Sequence, residues 1–388
     1  MLTPEQTAIV KATVPLLETG GETLTTHFYQ IMLAEYAEVR PLFNQAHQQH
    51  GTQPRALANA VLQYARHIDN LGALGALPAQ IIQKHVALQI LPEHYPIVGT
   101  CLLRAIREVL GAEIATDAVI EAWGAAYWQL ANLLIGAETA EYAKLADLPG
   151  GWRGARPFKV VRKAPESTEV SSFYLEPVDG GAVLRYQPGQ YLGLQLQING
   201  QEVRRNYSLS QQADGHSVRI SVKREKGGVA STYLHDQINV GDVLNVFPPA
   251  GEFVLHPGTA PLALISGGVG ITPTLAMAEA ALADDKRDVI FVHYARNAEV
   301  HAFGETITTW TRQYPRLRAY IVYEHGATEA QVSGRPTREQ LKAWIPADAD
   351  AYFLGPKPFM RFINQTLADL GLPAERRRYE FFGPAEAL

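Results

Sequence analysis

Apolar residues recur every three or four positions from the N-terminus to about Tyr142, and no run in that stretch alternates cleanly. Leu57, Val61, Tyr64, Ile68 and Leu71 form one stripe. Val98, Cys101, Leu102, Ala105, Ile106 and Val109 form a second, and Val119, Trp123, Tyr127, Leu130 and Leu134 a third. Spacing of this kind predicts amphipathic helices. Thr3 ahead of Pro4 and Gln6 predicts a helix start, with a capping hydroxyl, Pro at the first helical position and a reciprocal acceptor at the third. Arg40-Pro41, Leu77-Pro78 and Leu91-Pro92 predict turns between helices. The stretch reads as an all-α domain of at least five helices.

The pattern changes at Pro149-Gly150-Gly151-Trp152. Beyond it, Phe158–Val161, Ser172–Leu175, Tyr191–Ile198 and Val243–Phe247 read as strands, the last ending at Pro248-Pro249. Asn199-Gly200 is a strong hairpin signal. Val218, Ile220 and Val222 alternate with Arg219, Ser221 and Lys223, which predicts a half-exposed strand. Short strands so closely spaced predict a small antiparallel β-barrel. Near Pro261 a third regime begins: strands at Leu262–Ile265, Val289–Tyr294, Arg318–Tyr323 and Ala351–Leu354, with helical stretches between them. That alternation predicts an α/β domain with a doubly wound parallel sheet. The expected domains are 1–146, 152–258 and 259–388, with Gly150-Gly151 as a short connector.

With 388 residues, each domain is large enough for its own core. Hydrophobic residues make up 47% and charged residues 19%, as in an ordinary globular chain. A net charge of −5, without long Lys or Arg runs, argues against a nucleic-acid partner. Cys101 is the only cysteine, which excludes an intramolecular disulfide, a thiolate zinc cluster and an iron–sulfur centre, and its helical apolar setting predicts a core position. A secretory signal and a transmembrane segment are not expected, so the chain reads as cytoplasmic. Oligomeric state is left open.

Ser266-Gly267-Gly268-Val269-Gly270-Ile271-Thr272-Pro273 follows an apolar strand and precedes a helix expected over Pro273–Leu282. The glycines let the backbone approach a pyrophosphate, and Gly268, Val269, Gly270 and Ile271 offer amides at the positive end of the helix. Thr272 is expected to cap that helix and Pro273 to occupy its first turn. A tight turn without a ligand is the alternative, because the spacing is not the usual Rossmann one. In the barrel region, Arg205-Asn206-Tyr207-Ser208 offers a guanidinium for a phosphate, a ring for an isoalloxazine face and a hydroxyl for a ring heteroatom. Gly227-Gly228-Val229-Ala230-Ser231 adds amides near a helix start expected at Ser231. In the helical region His85 sits among Ile81, Ile82, Val86 and Leu88 as a metal-ligand candidate, and His67 is a rival on the same footing.

These motifs in this order resemble the ferredoxin–NADP reductase-like superfamily. Pro188-Gly189-Gln190-Tyr191 and Gly355-Pro356 match its flavin-contacting strand and a late nucleotide-domain motif. Tyr379-Glu380-Phe381-Phe382-Gly383-Pro384 resembles its C-terminal segment beside the flavin. Tyr191 and Phe382 are then the stacking and covering aromatics. Two positions depart from the pattern, with Leu354 and Phe381 standing where relatives often carry Cys; both changes bear on nicotinamide affinity and rate.

Upstream, Tyr29, Phe43, Gln53, Leu57 and His85 follow the order of a globin, and the whole chain resembles the bacterial flavohaemoglobins. The resemblance implies haem b iron held by His85, FAD, and NADH or NADPH. It implies a nitric oxide dioxygenase that turns nitric oxide and dioxygen into nitrate, with electrons passing from NAD(P)H through FAD to haem. Tyr29 and Gln53 then stabilise bound oxygen, Phe43 wedges the haem, Leu57 gates the ligand, and Tyr95 and Glu138 support His85. Lys84 is a partner for a haem propionate, with an exposed lysine as the other reading. Two alternatives stay open: an oxygen-binding or sensing globin with its own ferric-haem reductase, and a general NAD(P)H flavin reductase. NADH versus NADPH also stays open, since Arg296 suits either a 2′-phosphate or an exposed loop. So does the lipid contact known for the family, because a roomy haem pocket and an apolar core look alike in sequence.

Overall fold

Pro15 lacks a backbone N–H, and the helical run that starts at Pro4 breaks beside it into α1 (Pro4–Ala12) and α2 (Val14–Glu35). The computed structural model describes residues 2–43, 52–284, 286–326 and 332–382. Thr3 caps α1 as expected: its hydroxyl accepts from Gln6 N at 3.1 Å, and the Gln6 side chain accepts from Thr3 N at 3.0 Å. A cap of this kind contributes about 1 kcal/mol. Further helices follow: α3 (Thr52–Arg66), α4 (Leu77–Leu88), α5 (His94–Leu110) and α6 (Asp117–Asp147). The stripe from Leu57 to Leu71 outlasts α3, because Ile68 and Leu71 lie in the turn beyond it and still pack on the core. Apolar spacing records which side chains reach the core, whereas the helical hydrogen bonds stop earlier.

Val10, Phe28, Met32, Ala65, Cys101, Ile106 and Trp123 fill the centre of this helical unit. Trp123 Nε1 donates to Thr13 Oγ1 at 3.3 Å and so ties α6 to the α1–α2 break. Gly99 sets how closely α5 and α6 approach, since a Cβ there would lie 2.6 Å from the Tyr127 ring. That ring is anchored, as its hydroxyl donates to the Tyr95 carbonyl at 2.5 Å.

The described residues divide into two compact units, one running to Ala146 and including Asn199–Arg204, the other made of Asp147–Ile198 and Arg205–Phe382. Gly150, at φ 75°, lies against the backbone of Val183–Leu184, where a Cβ would come within 2.6 Å. Trp152 is buried and donates from Nε1 to the Val246 carbonyl at 3.0 Å. The connector is therefore packed within the second unit.

The connector is followed by β1 (Arg156–Pro165), β2 (Val170–Pro177), β3 (Tyr191–Ile198), β4 (Gln201–Ser208), β5 (Val218–Lys223) and β6 (Val243–Val246). Their order is β4-β3-β6-β1-β2-β5, and a bridge from Leu209 to Ile220 brings the end of β4 back to β5. Asn199 and Gly200 both take positive φ, 52° and 76°, which makes the β3–β4 hairpin turn as tight as the motif requires. One expectation fails in β5. Ser221 is buried, not exposed, and bonds the Ser172 and Ser210 hydroxyls at 2.7 and 2.8 Å. Mutual hydrogen bonding lets three small polar side chains enter a core that period-two alternation assigned to apolar residues alone.

The third region carries β7 (Leu262–Gly267), β8 (Val289–Ala295), β9 (Leu317–Tyr323), β10 (Val332–Ser333), β11 (Asp350–Leu354) and β12 (Arg377–Tyr379). They form a parallel sheet in the order β10-β9-β8-β7-β11-β12, so the winding reverses between β7 and β11. Helices α8 (Ile271–Asp284), α9 (Gly304–Gln313), α10 (Arg338–Trp344) and α11 (Lys357–Asp369) cover it. Alternate strand residues enter separate cores: Leu262, Leu264, Phe291 and Tyr352 on one face, Ala263, Ile265, Ile290 and Phe353 on the other. Between the barrel and this sheet, α7 (Val229–Asp236) follows β5. Among the described residues no helix is long and apolar enough to cross a membrane.

Because Tyr127 is held at its hydroxyl, Gly99→Val should destabilise the helical unit by about 1–3 kcal/mol through overpacking. Urea unfolding of the full chain should show its first midpoint lowered; an unchanged midpoint would mean that the Tyr127 ring yields freely.

Candidate functional site

His85 lies in the last turn of α4, which Gln89 ends in the left-handed conformation at φ 56°. The chain then turns through Leu91-Pro92 and places Tyr95 in the first turn of α5. Glu138 comes from the middle of α6 and is only 2% exposed. His85 Nδ1 is 2.7 Å from Glu138 Oε1 and 3.3 Å from the Tyr95 hydroxyl, which itself donates to Glu138 Oε1 at 2.8 Å. Burial, followed by the Glu138 charge, pushes the Tyr95 hydroxyl well above its ordinary range, so it remains a donor. A carboxylate facing Nδ1 keeps the proton on that nitrogen and leaves the Nε2 lone pair for a metal.

Tyr142 donates to the Ile90 carbonyl at 2.7 Å, and Tyr127 to that of Tyr95. These two tyrosines fix the turn that carries the site, yet in sequence they only extend the apolar pattern of α6. His67, the rival ligand, lies in the turn after α3 beside Asp69. Lys84, next to His85 on α4, is half-buried.

A second group gathers around Tyr29, which is buried on α2. Its ring meets Phe43 edge-on at 5.5 Å and 72°. Burial raises the hydroxyl well above its ordinary pKa, and the hydrogen bond from the Gln53 side chain opposes that shift. Leu57 and Phe43 are partly buried against the same core. The structure thus brings Tyr29, Phe43, Gln53 and Leu57 to one apolar cluster, and His85, Tyr95 and Glu138 to one hydrogen-bonded cluster.

In the barrel, the Tyr191 ring lies over Gly251, where a Cβ would come within 2.8 Å. Burial, with the charges of Glu380 and Glu252, pushes its hydroxyl up. Glu380 therefore brings the C-terminal segment near Tyr191. In that segment Phe381 packs edge-on against Tyr379 at 5.8 Å, and Phe382 is half-exposed. Gly383 and Pro384 lie outside the described residues. Strand alternation in β4 directs Arg205 and Tyr207 to one face, while Asn206 is exposed and Ser208 ends the strand. Burial lowers the Arg205 pKa, a shift that the Tyr207 hydroxyl opposes.

Ser231 does not start α7. The cap is Gly228, and Ser231 Oγ instead accepts from Glu225 N at 3.1 Å. A helix that opens on glycine leaves its first amides without a capping side chain.

At the switch point β7 runs into a 3-10 turn, Gly268–Gly270, and then α8. Gly268 takes φ +55° with open space where a Cβ would stand. Gly270 lies against β11, where a Cβ would fall 2.3 Å from the Leu354 carbonyl oxygen. Val269 separates these two glycines, and Ile271 opens α8. Thr272 is not the expected cap: it lies inside α8, and its hydroxyl donates to the Val269 carbonyl at 3.0 Å. Pro273 follows in the first turn, with α8 starting two residues earlier than expected. The 3-10 turn winds the chain into the helix before Thr272 is reached. Leu354 is buried beside this loop.

These donor sets fit three groups. A single imidazole with a carboxylate behind it would suit the iron of a haem, and among the described residues no three of His, Cys, Asp and Glu gather around a bare ion. Arg205, Tyr207 and the open amides after Gly228 suit the phosphates and ring of a flavin, and the open Gly268 turn suits a dinucleotide pyrophosphate.

Three domain families match in this order: Globin over residues 26–134, Oxidoreductase FAD-binding domain over 157–255, and Oxidoreductase NAD-binding domain over 264–365. The chain is 61% identical over 392 aligned positions to the flavohemoprotein of Pseudomonas putida, and 60% to that of Pseudomonas aeruginosa, in each case covering 100% of both chains. Its fold matches the crystal structure of a flavohemoglobin from Malassezia yamatoensis with bound FAD and heme, with TM-score 0.86 and 26% identity over 98% of this chain and 100% of that one. The FAD/NAD-binding domain of a nitric oxide dioxygenase from Vibrio cholerae matches 60% of this chain and 100% of its own at 37% identity, with TM-score 0.56. A helical globin domain, an antiparallel FAD domain and a parallel-sheet NAD domain, carrying haem, FAD and a nicotinamide dinucleotide, make this chain an oxidoreductase of the flavohaemoprotein family.

Proposed function

We propose that this chain is a nitric oxide dioxygenase that converts nitric oxide and dioxygen to nitrate with electrons from NAD(P)H. We place it in the cytoplasm, where nicotinamide dinucleotides are supplied, and set its domains at 1–146, 152–258 and 259–388. The observation that carries the reading is the 2.7 Å contact between His85 Nδ1 and the buried Glu138 carboxylate. An imidazole backed in this way is a strong electron donor to iron, which suits oxygen activation better than simple storage.

When bound, the haem supplies oxygen binding and one-electron chemistry, and the flavin converts a hydride into single electrons. His85 Nε2 would hold the iron, while Glu138, itself bonded by Tyr95, keeps the proton on Nδ1. Tyr29 remains a neutral phenol because it is buried. With Gln53 donating an amide N–H to its oxygen, its own hydrogen is left to stabilise negative charge on a ligand. Phe43 and Leu57 keep water from that position. Arg205 neutralises flavin phosphate, Tyr191 and Tyr207 offer aromatic faces, Ser208 a hydroxyl, and Phe381 and Phe382 the cover. The amides of Gly268, Val269 and Gly270 face the dinucleotide pyrophosphate; that of Ile271, expected to join them, is instead given to the Gly268 and Val269 carbonyls. Lys84 serves a haem propionate.

The direct test adds nitric oxide to oxygenated, NADH-supplied holoenzyme. Nitrate formation takes one electron and a hydride carries two, so nitrate should appear at twice the rate of NADH loss. Stalled turnover would leave an oxygen-binding globin. His85→Ala should remove the haem absorption band yet retain NADH-dependent ferricyanide reduction, and loss of both would refute separate roles for the two units. Glu138→Gln keeps a hydrogen-bonding group but removes the charge, and should slow nitrate production about tenfold. Tyr29→Phe should speed oxygen dissociation about tenfold, the equivalent of one strong hydrogen bond; an unchanged rate in stopped flow would remove Tyr29 from the oxygen site.

A further inference from the structure

Arg296 stands immediately beyond β8, the strand next to the glycine-loop strand on the side away from the switch point. In a parallel sheet of this kind the nucleotide lies across the carboxyl ends of the strands. The residue after the second strand faces the adenosine ribose, where an acidic group suits a free 2′-hydroxyl and an arginine a 2′-phosphate. Arg296 alone would point to a phosphate, but its guanidinium makes an ion pair with Glu169, from the turn between β1 and β2. Glu169 is well placed to hold it. Thr168 donates from both its backbone N and its Oγ1 to the Glu299 carbonyl at 3.0 Å, and Arg224 N donates to the Glu169 carbonyl at 2.7 Å. The turn that presents the carboxylate is thereby fastened to the loop that presents the arginine.

Two further carboxylates, Glu225 and Glu324, act on Arg296 in the same direction as Glu169. Each has its own cation, Lys223 for Glu225 at 2.8 Å and Arg335 for Glu324 at 2.7 Å. His325 N donates to the Arg296 carbonyl at 2.8 Å, so the loop backbone is also tied to the end of β9. Arg296, Lys223 and Arg335 are thus each paired with a carboxylate. A 2′-phosphate would have to compete with Glu169 for Arg296, with Lys223 and Arg335 already engaged by their own carboxylates, whereas a 2′-hydroxyl meets no such cost.

We propose that Glu169 is a specificity-determining residue: by engaging Arg296 it selects NADH over NADPH. The inference rests on the reading of the glycine-loop domain as the dinucleotide site and is independent of what becomes of the electrons afterwards. A unit charge a few ångströms from a phosphate in a solvent-screened site changes its affinity about 3- to 10-fold.

The test uses holoenzyme and compares kcat/KM for NADH and NADPH in ferricyanide reduction, which needs no nitric oxide, with nitrate production measured in parallel. Failure of the dioxygenase reading would then appear only in the nitrate arm. The unsubstituted chain should favour NADH. In Glu169→Gln the NADH-to-NADPH ratio should narrow about 3- to 10-fold, mainly through a lower KM for NADPH, and Glu169→Gln with Arg296→Gln should lose that gain. A wild-type preference for NADPH, or an unchanged ratio in a variant that still binds FAD, would overturn the proposal. Should the variant fold poorly, the wild-type ratio decides: it should narrow as salt rises from low to high ionic strength, and a constant ratio would overturn the proposal as well.

Discussion

A carboxylate that is almost wholly buried is the constraint on which the helical unit depends. Glu138 loses its hydration inside α6, and a charge in that position costs several kcal/mol unless it is paired and hydrogen-bonded. Two donors compensate it, His85 Nδ1 and the Tyr95 hydroxyl, and both converge on the same oxygen. The three groups come from three helices, so satisfying Glu138 also fixes how α4, α5 and α6 sit. Gly99 and the tyrosines at 127 and 142 serve that arrangement by setting the α5–α6 distance and pinning the turn after α4. Stability and ligand orientation are in this way one requirement. Loosening the packing would expose the carboxylate, and removing the carboxylate would free the imidazole to take either tautomer.

The reductase unit meets a different constraint, close approach of backbone to backbone. Gly270 leaves no room for a Cβ against the Leu354 carbonyl, so β7 and β11 can flank the switch point only with glycine there. Gly268 bends the chain in the left-handed region and faces open space. One glycine is required by the protein's own packing, while the other keeps the rim clear for an anion. Leu354 gives the first of them its neighbour through a main-chain oxygen, which any side chain could supply. The identity of the side chain at position 354 therefore does not set the loop geometry, and leucine there adds apolar cover.

Features set by local chemistry were legible in the sequence. The Thr3–Gln6 capping box, the Asn199-Gly200 turn and the span of β3 each follow from a few adjacent residues, and each is present. The change of hydrophobic period after Tyr142 separated the helical and sheet regions for the same reason. His85 was a candidate from its apolar helical setting, but its choice over His67 and the roles of Tyr95 and Glu138 came only through the resemblance to a globin, because fifty-odd residues of chain separate His85 from Glu138 and nothing local announces their contact. Where the reading failed, a competing hydrogen bond decided. The Thr272 hydroxyl turned back to Val269, Ser231 served Glu225 and left the cap to Gly228, and Ser221 found two other serines in the barrel core. β10 and β12 are two and three residues long, too short to carry a period. The Arg296–Glu169 pair joins two loops from different folding regions, and neither residue is unusual where it stands.

That pair gains weight from what lies beneath it. His293 on β8 and His301 stack with centroids 4.9 Å apart, and hydroxyls satisfy one nitrogen of each, Ser266 at 2.8 Å and Tyr323 at 2.8 Å. Burial pushes both imidazoles down, His293 well below its ordinary value with the neighbouring His301 adding to the shift, and His301 to about 4. Both are neutral at physiological pH, since protonating either would place a charge in the core and protonating both would set like charges in contact. These two imidazoles beneath the carboxyl ends of β8 and β9 therefore supply no positive charge to attract a phosphate. The proposed discrimination between a ribose hydroxyl and a ribose phosphate then rests on the exposed side chains at the rim, where the Glu169 carboxylate engages the Arg296 guanidinium.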